Sequence, residues 1–365
     1  MIKEGKFGVQ EAIWLTTITI SSKIFYTSPG LVAGIVGNTG WYMTLISMGT
    51  AILGFTFIYL LLKRFPGKDI ITIFNDTMGG IIGFIFSGVL GLYLFFLAAS
   101  TISEFAEVIK IYVFPLTPPS LIIGIFAAGV LVLCLLGLES LARFAKLTIY
   151  TMFFGFILIS FLGIDIYDFN RLFPILGYGA DKVLMNGLLR SSAYGEVIIL
   201  AVFATSLQGI NHVKKAGYVS LIISGISISI SLLIFSLSFP YHTAQEITAP
   251  MYQMATLIDY GRFIQRVEPV FLFIWFISSF ISTTGIFYCF VSIYCKMFRI
   301  QDTKPIIMGS IIILFASAMI QSDIGIMAAE NIQNIRQYGW IPPFILPLIA
   351  LIIGILRKRG AKSYG

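Results

Sequence analysis

Ser21-Ser22-Lys23-Ile24-Phe25-Tyr26-Thr27-Ser28-Pro29-Gly30 interrupts the first long apolar run of a 365-residue chain, a run that extends over about 9–37. Roughly 20 apolar residues cross a bilayer core, so a run of this length reads as a membrane span. Its middle holds a charge, four Ser or Thr residues and a Pro-Gly pair. Proline removes a backbone donor and clashes with the preceding turn. Backbone groups released in lipid must face protein, water or ligand, so the decapeptide predicts a broken helix rather than a straight one. A Lys at the bilayer centre costs on the order of 3 kcal/mol on insertion scales. Lys23 lies too deep in the run to reach the headgroups readily, so it predicts a partner or a function.

The rest of the chain fits the same solvent. Hydrophobic residues make up 58% and charged residues 11%, against about 25% charged in soluble domains. Continuous apolar runs, rather than short alternating segments, predict helices and not a barrel. Ten runs are read at about 9–37, 41–62, 79–110, 119–138, 144–166, 192–211, 215–239, 268–296, 305–321 and 341–356. With ten spans both termini share a side. Sixteen of the 24 Lys and Arg then fall on that side and seven on the other, with Lys23 inside the first span. This asymmetry predicts cytoplasmic termini. It also turns the net charge of +7 into a topology signal, which argues against a nucleic-acid partner. The three remaining long loops, about 167–191, 240–267 and 322–340, fall outside. Met251, Met254, Ala255, Leu257 and Ile258 follow Pro250 at helical spacing and predict an amphipathic helix over the outer mouth.

Cys134, Cys289 and Cys295 sit inside apolar runs, and His212 and His242 are isolated. No metal set, cofactor motif, phosphate loop or nucleophile–base pair is visible, so an enzyme is not expected, and any transport must draw on a gradient or a partner.

The sixth run carries Ser191-Ser192-Ala193-Tyr194-Gly195-Glu196. Glu196 follows a helix-weakening glycine; it reads either as a carboxylate at a helix start near the outer interface or as a site residue. Spans one and six are the matching first members of two five-span halves. Breaks in equivalent spans of inverted repeats point to a midplane binding site. The expected ligand-binding set is Ser21, Ser22, Lys23, Tyr26, Thr27, Ser28, Tyr194, Gly195 and Glu196, with Lys23 and Glu196 approaching as an ion pair. The eighth run has Ser278, Ser279, Ser282, Thr283 and Thr284. These hydroxyls suit an ion site, or a place for Lys23 to turn to, and equally suit helix back-bonding and helix–helix contact.

Lys23 through Gly30, followed by Gly40-Trp41, resembles the first-span region of amino acid–polyamine–organocation transporters, and Tyr194-Gly195-Glu196 resembles their broken sixth span. Arg64-Phe65-Pro66-Gly67, Asn170-Arg171-Leu172-Phe173-Pro174-Ile175-Leu176-Gly177 and Gln265-Arg266-Val267-Glu268 leading to Trp275 are closer to the spore-germination permeases, the B subunits of nutrient germinant receptors. The resemblance implies one all-α transmembrane domain over 1–365 with a LeuT-like fold of ten helices. Its inverted five-helix repeats would be 1–166 and 192–356, with helices one and six broken. It further implies a small polar nutrient ligand such as an amino acid, membrane A and lipoprotein C subunits as partners, and the spore inner membrane as location. Ser21-Ser22-Lys23 departs from the glycines of the broader transporter pattern. A proton- or sodium-coupled amino acid transporter and a gated ion or water conduit remain the alternative functions.

Overall fold

A computed structural model describes residues 5–25, 28–247, 249–261, 267–322, 333–335 and 337–357; its regular elements are helices. α1 (Val9–Ser21) runs into a 3-10 turn at Ser22–Phe25, and the chain resumes as α2 (Ser28–Val36). The first span is therefore broken where Lys23 stands. Tyr26 and Thr27 lie outside the described residues, as do Arg262, Gln265, Arg266, most of 322–340 and the basic tail from Lys358. Then follow α3 (Gly40–Arg64), α4 (Ile70–Met78), α5 (Gly80–Tyr112), α6 (Pro119–Leu135) and α7 (Leu138–Leu162).

The second part of the chain opens with α8 (Ala180–Leu189), a 3-10 stretch at Arg190–Ile198 and α9 (Ile199–Val202). α10 (Ile210–Ser238), the short α11 (Tyr241–Ala244) and α12 (Pro250–Thr256), α13 (Glu268–Met297) and α14 (Lys304–Ser322) come next. A π-turn at Ile341–Ile345 leads into α15 (Leu346–Leu356). Among the described residues six helices are long and apolar enough to cross a membrane, and Pro119–Leu135 and Ile341–Leu356 are shorter apolar helices.

Burial is inverted relative to a water-soluble protein. Ile81 on α5, Ile125 on α6, Phe154 on α7 and Ile312 on α14 are exposed, while Thr16, Thr17, Thr19 and Ser21 of α1 are buried. An apolar rim around a partly polar interior suits lipid outside and a functional centre inside. α1 occupies that interior, against α7, α10 and α13. Small residues permit the close approach. A Cβ on Gly217 of α10 would stand 1.9 Å from the Phe55 ring of α3, so only glycine lets these helices meet.

Helical structure around the sixth and seventh runs extends beyond the runs themselves: α8 begins at Ala180, ahead of 192, and α10 begins at Ile210, ahead of 215. α8 carries Asp181, Lys182 and Asn186, so it makes no apolar run; it buries Val183 and Gly187 and packs on α3. Arg190, counted above with the outer-loop charges, is buried at the start of the 3-10 stretch. Glu196 is fully buried within the 3-10 stretch.

α4 has no counterpart in the ten runs. Asp69 caps it, accepting from the Thr72 backbone N–H at 2.9 Å, and Ile70, Ile71, Ile73 and Phe74 form its buried face. The helix after Pro250 is present as α12. Its Met251, Met254 and Ala255 are buried, and it packs on α13 and the 22–25 turn. It covers the break in the first span with its apolar face against protein.

Candidate ligand site at the two broken spans

The 22–25 turn and the 190–198 stretch bring together side chains far apart in sequence. Lys23 Nζ donates to Glu196 Oε2 at 2.5 Å and also to the Ala193 carbonyl. Lys23 retains 8% of its surface and Glu196 none. A pair so buried must compensate the desolvation of both charges with good geometry and further hydrogen bonds. The Ala193 carbonyl, released because the backbone there is not α-helical, supplies one. The other oxygen, Glu196 Oε1, is buried with no hydrogen-bond partner among the described residues. The ion pair expected from the sequence is therefore present, across the two breaks.

The neighbouring residues fall into separate roles. Tyr194 is buried, and its hydroxyl pairs with Thr44 Oγ1 at 2.8 Å, pinning the stretch to α3. Gly195 faces the tenth apolar segment: a Cβ there would lie 2.9 Å from both Pro343 Cγ and Tyr93 Oη. Ser22 Oγ donates to the Thr19 carbonyl at 3.3 Å, while Ser21 Oγ is buried without a partner among the described residues. Ser28 begins α2.

The hydroxyl row on α13 divides. Ser278 and Thr283 bond back to Ile274 and Ser279 carbonyls at 2.8 Å each. Ser282 Oγ instead donates to the Thr19 carbonyl of α1 at 3.1 Å. Ser279 Oγ has no partner among the described residues. Lys23 pairs with Glu196, and Ser278 and Ser282 spend their hydroxyls on carbonyls.

Asn38 Nδ2 donates to the Arg171 carbonyl at 3.1 Å and Tyr42 Oη to the Ile175 carbonyl at 2.7 Å. Lys146 bridges to Glu11 at 2.7 Å, and Lys296 meets Asp69 at 3.2 Å and the Val202 carbonyl at 2.8 Å. Two interrupted helices thus bring a buried charged pair and a released backbone carbonyl to one point.

The family model described as spore germination protein matches residues 10–325. The chain belongs to the spore germination protein family. It is 22% identical to spore germination protein KB of Bacillus subtilis (strain 168), over 100% of this chain and 99% of that one. It is also 25% identical to spore germination protein GerQB of Bacillus cereus, over 67% of each. Among solved structures it resembles MHP1, a nucleobase-cation-symport-1 family transporter in a closed conformation with bromovinylhydantoin bound. That likeness has TM-score 0.56 at 13% identity and covers 97% of this chain and 93% of that one. A Na+-coupled sialic acid symporter in a substrate-bound outward-open state gives TM-score 0.63 at 11% identity, over 98% and 81%. The spore germination family member is thus a multi-pass membrane protein with a LeuT-type transporter fold.

Two features of this permease escaped the sequence reading. One is Arg190. The other is the serine face of α10, where Ser220, Ser224, Ser227 and Ser231 are all buried. Their 4-3-4 spacing places them on one side of a helix, a signal available in the sequence.

Proposed function

We propose that this chain is the transporter-like, nutrient-sensing subunit of a spore germinant receptor. Its ligand, a small polar nutrient such as an amino acid, binds where spans one and six are broken. The ligand carboxylate takes Lys23 and its amine takes Glu196, so binding competes with the ion pair and shifts the balance between two packed states. The observation that carries this reading is the Lys23–Glu196 contact of 2.5 Å across the two breaks, in a family of spore germination proteins. The described helices are consistent with ten spans in two inverted five-helix repeats, now about 9–162 and 180–356, each opening with a broken span. A membrane A subunit and a lipoprotein C subunit complete the receptor in the spore inner membrane, with both termini cytoplasmic. Spores carrying Glu196→Gln in place of the native chain test the reading: the nutrient response should fall with the subunit still in the membrane. A normal dose–response would oppose it.

A second reading, a gradient-driven symporter, is favoured by Ser279, whose buried hydroxyl on the helix facing α1 lacks a partner among the described residues. Together with Ser278 and Ser282 it is the candidate cation contact. Solute uptake by proteoliposomes holding this chain alone would favour the symporter.

A further inference from the structure

α5 is longer than a bilayer core requires. Its 33 residues, Gly80–Tyr112, measure about 50 Å at the rise of an α-helix, against a hydrocarbon core of about 30 Å. The stretch 80–103 carries no charged residue and at about 36 Å already crosses the core. The last turns of α5, where Glu107 and Lys110 stand, therefore come at headgroup depth.

Beside those turns, α5 and the chain leading into α6 enclose an open cavity of about 340 Å³, a size common for sites that hold small organic groups. Its lining is Ala106, Glu107, Lys110, Ile111, Pro115 and Pro119. None of these belongs to the broken spans. Glu107 is half-buried and Lys110 exposed. Neither makes a hydrogen bond or an ion pair among the described residues. A half-buried carboxylate gives up hydration and needs a partner in return. The cavity thus presents an anion and a cation, three residues apart on one helix, that are not engaged with each other.

The surface around the cavity is apolar. Ile111 and Phe114 are exposed by half or more, and Leu116 keeps 97% of its surface. Large apolar side chains at the end of a span suit contact with acyl chains and not with water. An occupant that satisfies both the charges and this rim is an amphiphile with a zwitterionic head.

We propose that the cavity is a binding site for the headgroup of a phosphatidylethanolamine-type lipid. The ammonium donates to Glu107, the phosphate accepts from Lys110, and the acyl chains run along Ile111, Phe114 and Leu116. Charge complementarity selects this head over others. An anionic phosphatidylglycerol would satisfy Lys110 but leave Glu107 facing a like charge. A choline head brings a cation that has no N–H to donate to the carboxylate. The ligand is a component of the bilayer and is distinct from any nutrient at the broken spans.

The test is native mass spectrometry of the full chain titrated with phosphatidylethanolamine, phosphatidylglycerol and phosphatidylcholine of identical acyl chains. The first should bind about tenfold or more tightly than the other two, the difference expected for one hydrogen bond to a charged group. Glu107→Gln should bring the three lipids to near parity. Lys110→Ala should weaken phosphatidylethanolamine and phosphatidylglycerol alike. Neither change should move the melting temperature in lipid-free detergent, since neither side chain has a partner to lose among the described residues. Equal binding of the three lipids by the native chain would overturn the proposal. So would a preference for phosphatidylethanolamine that survives Glu107→Gln. Soluble phosphoethanolamine should fail to displace the bound lipid at hundredfold excess; displacement at equal concentration would make this a site for a free zwitterion and overturn the lipid assignment.

Discussion

Glu196 has one oxygen on the Lys23 ammonium and the other without a partner among the described residues. Removing one member of a buried pair leaves an uncompensated charge and destabilises by about 3–5 kcal/mol. Lys23→Met and Glu196→Gln should therefore each lower the melting temperature of the purified protein. Lys23→Met with Glu196→Leu should recover most of the loss, because no buried charge remains; equal melting of all three and the native chain would count against the pair. Gly195 belongs to the same scale. A Cβ there meets the rigid Pro343 ring and the Tyr93 hydroxyl at 2.9 Å. Gly195→Val should displace the break from the tenth segment and abolish the nutrient response at normal membrane levels; a native dose–response would show that this approach is dispensable. Lys23 was legible in the sequence because a cation in mid-span demands an explanation. Glu196 was only half legible, since its depth depended on where the sixth span begins.

Helices with a long apolar stretch were easy to read, and those that are short or diluted by polar residues were not. α5 and α13 fall within three residues of the runs that predict them. α8 does not, because Asp181, Lys182 and Asn186 dilute its hydropathy while Val183 and Gly187 dock on α3. α4, at nine residues, is too short for any span-sized window, although its Asp69 cap and Ile70-Ile71-Ile73-Phe74 pattern carry a helix signal. Asp69 also holds Lys296 at the end of α13. Asp69→Ala should remove both the cap and that contact. A cap alone is worth about 0.5–2 kcal/mol, so the loss of stability by thermal melting should exceed that of Asp76→Ala, whose ion pair with Lys68 is solvent-exposed. Equal effects would mean that the cap and the Lys296 contact together contribute no more than an exposed ion pair.

Across the whole molecule, the distribution of Lys and Arg and the inverted burial describe one object, a bundle with an apolar rim and a charged centre. With Arg190 buried rather than in a loop, six instead of seven basic residues remain on the side opposite the termini, which sharpens the asymmetry from which cytoplasmic termini are expected. Cys134, Cys289 and Cys295 are buried, so a membrane-impermeant thiol reagent should see only introduced cysteines. Asp181→Cys and Lys362→Cys should label from opposite sides, and labelling from one side would break the ten-span arrangement. The central claim is that ligand and ion pair compete at the two breaks. It is tested most directly by the nutrient dose–response of spores carrying Lys23→Met, Glu196→Gln or both. Each single change should raise the half-maximal nutrient concentration about tenfold or more, a loss of roughly 1.4 kcal/mol. The double change should be no worse than the more impaired single variant, because the two residues act as one unit; strictly additive losses, or native responses in all three, would contradict it.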